Sequence, residues 1–383
     1  MTTDPAPSAQ FKVLIAGGGV AALEAALALR DLAADRLTVK LISARPEFAY
    51  RPMSVQEPFS FGGAERYPLQ EIAADIGIEL VEDKLESVDV ASASIHTASG
   101  ADYSYDAMLL ALGARVRPRY EHATTIDDRR LDDQLHGLIQ DIEDGYLKRL
   151  AFVVPPRMAW PLPIYELALM SAQRAYDMNV EVSITVLTPE EKPLAVFGSG
   201  ASDGVSALLA ENRIEVFTSA YCEIPSPGHI EVAPGDRKFD ADRIVALPEL
   251  DGPSVPGLPA AEHGFIPIDA HCRVRGLEHV YAAGDATAFA IKHGGIAAHQ
   301  ADVAAQAIAA SAGAPVQPEE FHPSISGILL TGAKPRYLRA EITGGHGFSS
   351  AMSDDPSLAP SGKIAAKYLA PYLEQWDRAA GRS

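Results

Sequence analysis

The stretch VLIAGGGVAALE, residues 13–24, constrains the fold more than any other part of the chain. An apolar run of strand type enters three glycines and an apolar helical run leaves them, giving G-x-G-x-x-A at Gly17, Gly19 and Ala22. Gly17 permits a tight turn, Gly19 lets the backbone come close to a pyrophosphate, and Ala22 keeps helix and strand in contact. The helix start, with Val20 and Ala21, presents unpaired N–H groups to negative charge. The next strand-like run, TVKLIS, leads into Ser43, Ala44 and Arg45, where a ribose-binding carboxylate is usual. Here a hydroxyl would meet the ribose instead, with Arg45 over the base.

With 383 residues and 47% apolar content, the chain can bury two sizeable cores. Strand-like runs follow at 78–82, 86–97 and 106–112, and the last ends in Ala111-Leu112-Gly113. A second alternation then begins: strand 150–154, helix from about 164, strand 180–187, helix 202–211 and strand 214–218. The Pro/Gly-rich LPELDGPSVPGLP (247–259) reads as a return linker. A strand and an alanine-rich helix (296–311) follow, and the tail closes on a helix over 363–378. The expected fold class is α/β, with two doubly wound Rossmann-like domains, the second inserted in the first, and a small C-terminal domain. The divisions are a disordered leader 1–10, a first nucleotide domain 11–116 with 256–315, a second domain 117–255, and an interface domain 316–383.

The formal charge of −19 argues against nucleic acid or an anionic membrane as electrostatic partner. No apolar run approaches the roughly 18–20 residues of a spanning helix, and MTTDPAPSAQ lacks the features of a signal peptide. The expected location is therefore cytoplasmic. Two cysteines 50 residues apart and scattered histidines give no metal-ligand spacing, so no metal is expected.

LEHVYAAGDATAFA (277–290) places Gly284-Asp285 at the end of a strand. The glycine turn, the ALGA at 111–114 and this stretch together resemble, in order, the motifs of the two-dinucleotide-binding-domain flavoproteins of the pyridine nucleotide-disulfide oxidoreductase superfamily. Within it, EFAYRPMSVQEPFSFG (47–62) and KHGGIAAHQADVAAQAIA (292–309) are similar to the sulfide:quinone oxidoreductase and flavocytochrome c sulfide dehydrogenase branch. The resemblance implies bound FAD, with Asp285 on its ribityl chain. Arg51 and Pro52 would lie near the flavin, and the helix beginning near Gly294 and Gly295, with Gly295 and Ile296 at the cofactor, would point at its pyrimidine end. Lys292 and His293, just before that helix, are candidates to supply a cation or a proton.

The junction PPRMAWPLPIYELAL (155–169) departs from a nucleotide site. Aligned on Glu166, the glycine positions hold Ala159, Pro161 and Ile164; Pro161 and Pro163 have no N–H to donate. NAD(P)H binding is therefore disfavoured. In the resembling branch this region faces the flavin, which makes Trp160, Tyr165 and Glu166 candidate pocket residues, with core packing as the alternative for Trp160 and Tyr165. The branch's redox cysteines are absent: Cys222, read as the end of a strand, and Cys272 match neither position, so a cysteine–disulfide mechanism is not expected. The resemblance places Lys334, Arg336 and Tyr337, in a turn of the C-terminal domain, over the other flavin face where a quinone or redox protein would dock, with a solvated turn as the alternative.

These residues imply an FAD-dependent oxidoreductase passing electrons to a small acceptor such as a quinone or a redox protein. Two alternatives stand beside it: an NAD(P)H-dependent quinone or electron-carrier reductase, and a non-catalytic flavin-binding regulatory protein. The stripe Ile364, Tyr368, Leu369, Tyr372, Leu373 and Trp376 suits a membrane interface, the protein's own core or a homodimer contact, the last two being the more ordinary outcomes.

Overall fold

A computed structural model describes residues 10–33, 35–343, 346–358 and 362–381, so all but the last residue of the expected leader lies outside the described part. Five parallel strands form the first sheet, in the order Val280–Ala282, Ala107–Leu110, Phe11–Ala16, Leu37–Ser43, Glu79–Glu82. The second sheet is also parallel: Thr124–Thr125, Arg243–Ala246, Arg149–Val153, Ser183–Leu187, Glu215–Phe217. Each is the doubly wound arrangement whose loops gather where the strand order reverses. A three-stranded antiparallel sheet, Ser324–Leu329, Arg336–Thr343 and His346–Ser353, follows the second crossing back.

The helices are α1 (Val20–Ala33), α2 (Leu69–Ile76), α3 (Leu131–Glu143), α4 (Leu162–Asp177), α5 (Ser199–Glu211), α6 (Gly294–Ser311) and α7 (Leu369–Ala379). α1 and α6 are alanine-rich and almost wholly buried, and small side chains let the two pack closely against one face of the first sheet. The linker contains its own short strand: Glu249–Asp251 pairs antiparallel with Arg115–Arg117, so the outgoing and returning chains cross together.

Several expected elements shift. Residues 86–97 are a hairpin, Leu85–Asp89 with Ser94–Thr97, rather than one strand. Cys222 is the second residue of the strand Tyr221–Ser226, near its start. The last helix begins at Leu369 instead of 363, and of its apolar stripe Leu369 and Leu373 are buried in the core built around α1 and α6. The protein's own core is thus what these two residues contact.

Candidate functional site

The carboxyl ends of three adjacent strands of the first sheet carry the three sequence motifs: Gly17 follows Ala16, Ala111 follows Leu110, and Gly284 follows Ala282 by two residues. They open on a cleft of about 310 Å³, at the lower end of the roughly 300–1,000 Å³ of small-molecule sites. Gly17 sits at φ +129°, and a Cβ there would lie 2.1 Å from the Ala111 carbonyl oxygen. Only glycine fits. Gly19 has nothing within 4 Å of where its Cβ would be, so the backbone beside the α1 N-terminus is open to the cleft.

Gly19, Val20, Ala21, Arg51, Pro52, Ala111 and Gly113 line this cleft, as do Trp160, Glu166, Gly284, Asp285, Lys292 and His293. Other expected residues do not. Ala22 is turned into the core, Leu112 packs among the apolar residues on the other face of the sheet, and Ile296 is buried in the second domain's core. Gly17 shapes the turn from beneath, and the Gly295 N–H is taken by His293 Nδ1 at 3.2 Å, the cap of α6. Ser43 Oγ donates to the Arg45 carbonyl at 2.8 Å and accepts its N–H at 3.2 Å, so that hydroxyl closes its own turn. Ala44 and Arg45 are exposed overall; partial desolvation of the Arg45 guanidinium, helped by repulsion from Arg129 and Arg51, lowers its pKa. Tyr165 is corrected to a core residue. Its hydroxyl donates to Glu190 Oε2 at 2.6 Å, away from the cleft. Lys334, Arg336 and Tyr337 are likewise absent from the cleft wall; from the C-terminal sheet Gly327 and Ile328 reach it.

Asp285 is the group with most to explain. Among the described residues no hydrogen bond reaches its carboxylate, although the side chain borders the cleft. Burial raises its pKa, and the nearby cations Lys292 and Arg51 pull it back. Lys292 is buried, donates to the Thr287 carbonyl and lies 4.0 Å over the Phe265 ring. Burial brings its pKa down to about 8, against the pull of Asp285. His293 is pushed down to about 4 by burial and by Lys363, so at neutral pH it is a neutral imidazole that accepts the Gly295 N–H.

Lys363 escaped sequence reasoning. It lines the cleft, ion-pairs with Glu166 at 2.6 Å and donates to the Pro52 carbonyl at 3.0 Å. Glu166 also accepts the Leu330 N–H at 2.9 Å. One buried carboxylate therefore joins α4, the C-terminal sheet and the tail. The pairing spans 197 positions, which no local pattern announces. Asp127, Asp128 and Arg129, from the edge of the second domain, also face the cleft without a sequence signal, and Asp128 pairs with Arg51 at 3.3 Å.

Residues 11–145 and 166–311 match the model of the pyridine nucleotide-disulphide oxidoreductase family. The chain belongs to this family. Its unmatched gap, 146–165, holds the strand–helix junction. A sulfide-quinone reductase of Aquifex aeolicus is 26% identical over 261 residues, 63% of this chain and 59% of that protein. A NADH dehydrogenase-like protein of Mycobacterium tuberculosis is 26% identical over 295 residues, 72% of this chain and 73% of that protein. Among solved structures, the sulfide:quinone oxidoreductase of Aquifex aeolicus superposes with a TM-score of 0.80 at 20% identity, covering 97% of this chain and 91% of that one. A ferredoxin reductase of Rhodopseudomonas palustris gives 0.65, also at 20% identity, over 87% and 83%. These structural likenesses show the fold.

The family binds FAD, and the residues present fit it: Gly17 in a conformation only glycine takes, open backbone at Gly19, and an unpartnered carboxylate at Asp285. The second domain's switch point is different. Trp160 packs at a tilt against His293, ring centroids 4.5 Å apart and planes 43° apart, and against Phe197 at 5.5 Å and 60°. The Ala159 carbonyl accepts the Lys292 N–H at 3.3 Å. Pro161 caps α4, Pro163 lies in its first turn, and the Ile164 N–H bonds back to the Pro161 carbonyl. The junction is thus closed onto the loop before α6, with few N–H groups left to meet a phosphate. Both cysteines are buried outside the cleft wall; burial lifts the Cys222 thiol to about 12 and Cys272 further still. Among the described residues no group of three or more His, Cys, Asp or Glu could hold a metal, and no helix is long and apolar enough to cross a membrane.

Proposed function

We propose that this chain is an FAD-dependent oxidoreductase whose electrons leave to a small acceptor such as a quinone or a redox protein, without a cysteine–disulfide step. The observation that carries the reading is Asp285: a carboxylate bordering the cleft that, among the described residues, no protein group hydrogen-bonds, set between the Gly17–Ala21 turn and the α6 N-terminus. Gly19, Val20 and Ala21 would hold the pyrophosphate and Asp285 the ribityl hydroxyls. When bound, the flavin supplies the two-electron chemistry, and the protein supplies position and electrostatics.

The chain's own residues make the cleft suited to a ligand that gains negative charge. Lys292 and Lys363 are buried cations at its wall and α6 points its N-terminus there, so the site stabilises an anion before one forms. Trp160 and Ile328 give it an apolar wall that excludes water. With Lys292 near pKa 8, its amine can hold or release a proton close to neutral pH. Neither thiol is available as a nucleophile at neutral pH, because burial keeps both protonated.

The test is a donor and acceptor panel on FAD-loaded protein under anaerobic conditions. Turnover with a quinone or redox-protein acceptor that survives Cys222→Ser and Cys272→Ser supports the reading. A flavin that no donor reduces would leave a binding or regulatory protein in its place.

A further inference from the structure

The wall of the cleft beside α6 is made by the tail: Lys363 and Ile364 line it, and Ile364 packs on Gly294, where an added Cβ would come within 2.8 Å. This piece of chain has little structure of its own before Leu369. Something else must hold it.

The holder is Glu24, on α1. Its side chain is fully buried, and its carboxylate accepts three consecutive tail N–H groups: Lys367 at 2.8 Å and Tyr368 at 3.0 Å on Oε1, and Leu369 at 2.6 Å on Oε2. Tyr368 at the N-cap and Leu369 in the first turn are donors a helix leaves unpaired where it begins, and Lys367 directly precedes them; a carboxylate at a helix N-terminus is also favoured by the macrodipole. Burial, and to a lesser extent the charge of Asp302, raises the Glu24 pKa, and the three N–H bonds oppose that rise. The cap comes from another element some 340 positions away. Glu24 also lies two residues after Ala22, on the helix whose first turn faces the pyrophosphate site. A single helix thus offers its N-terminus to the ligand and its second turn to the tail.

We propose that Glu24 is a positioning residue, a latch that holds residues 362–369 against the cleft, and that this latch governs how fast bound FAD escapes. The proposal rests on the FAD reading above. Loss of the latch frees Lys363 and Ile364 to swing off the cleft wall while the glycine turn and Asp285 stay in place.

The experiment compares wild type with Glu24→Gln, an isosteric change that keeps one acceptor oxygen and sets an amide against the remaining N–H. Tyr50→Phe serves as a second, milder variant, since the neutral Tyr50 hydroxyl meets this segment at its other end, accepting the Ile364 N–H at 3.0 Å and also facing the Lys363 N–H. Two readouts are taken: amide exchange of residues 367–369, with and without FAD, and the rate of FAD release into excess apoflavodoxin or a similar scavenger. Exchange at these amides is expected to rise roughly tenfold in Glu24→Gln. FAD release should rise several-fold, with the urea midpoint of the first domain nearly unchanged; Tyr50→Phe should show smaller changes of the same sign. Unprotected amides in wild type, or exchange that rises while FAD release stays the same, would overturn the proposal. If Glu24→Gln does not fold, protection in wild type and the Tyr50→Phe release rate decide it. A wild-type chain that takes up no FAD sinks the functional reading instead; the exchange data on that protein then show whether the latch itself exists.

Discussion

Two strand–helix junctions occupy equivalent places in the two parallel sheets, and they have opposite chemistry. At 16–21 the turn is glycine, with Gly17 in a backbone region closed to other side chains and Gly19 open to the cleft. At 154–164 the turn is proline and tryptophan, packed at a tilt against His293 and hydrogen-bonded to the loop before α6. The same fold thus makes an open glycine turn at one junction, the phosphate cradle of the proposed FAD site, and a wall at the other. What differs is backbone access: free N–H groups and room beside them. The wall is not idle, because it supplies Trp160 and Glu166 to the cleft that the cradle opens. In this chain the second domain completes the first domain's site.

Substitutions can break or sharpen this contrast. The largest effect is expected from Glu166→Gln, which strands the buried Lys363 ammonium and should cost roughly 3–5 kcal/mol in urea unfolding. The double variant Glu166→Gln/Lys363→Met should recover much of that loss. Gly17→Ala comes next: a positive φ and a contact at 2.1 Å with backbone should cost about 3 kcal/mol and abolish flavin uptake, measured as flavin absorbance per chain. Its counterpart Ala159→Ser should leave both nearly unchanged. Equal damage from the two would erase the distinction between cradle and wall.

His293 gives a pH signature of the wall. Its pKa of about 4 in the fold lies below the ordinary 6.5, so between those values the unfolded chain binds the extra proton and stability rises with pH. Lowering the pH from 6.5 to 4 should therefore cost on the order of 2–3 kcal/mol through this group. His293→Asn, which retains a capping side chain, should flatten that part of the urea-midpoint profile. Asp285→Asn should act on the cradle alone. FAD affinity is expected to fall roughly tenfold or more, as for a lost hydrogen bond to a charged group. The apoprotein should be no less stable, since burial outweighs the pull of Lys292 and Arg51 on that carboxylate and no protein hydrogen bond is lost.

The first sheet's motifs were legible because each is local: a glycine turn, ALGA and Gly-Asp all carry their geometry within a few residues. The doubly wound fold could be read from the same alternation. Tyr165 shows where local reading fails. It adjoins Glu166, yet neighbours on a helix point about 100° apart, so Glu166 reaches the cleft and Tyr165 reaches Glu190. The last helix fails similarly. Its apolar stripe runs back to Ile364, but the helix begins at Leu369, where Glu24 takes the N–H groups. Lys363 then reads as a surface cation and is in fact a buried partner of Glu166. In both cases the deciding contact is far away in sequence.

The most direct test of the contrast is anaerobic mixing of the FAD-loaded protein with NADH and, separately, NADPH, while following the flavin absorbance band. A cradle at one junction and a wall at the other predict a stable yellow protein and no fast phase with either nucleotide. Rapid bleaching of the band by either one would contradict it, because the second junction would then bind a dinucleotide despite its prolines.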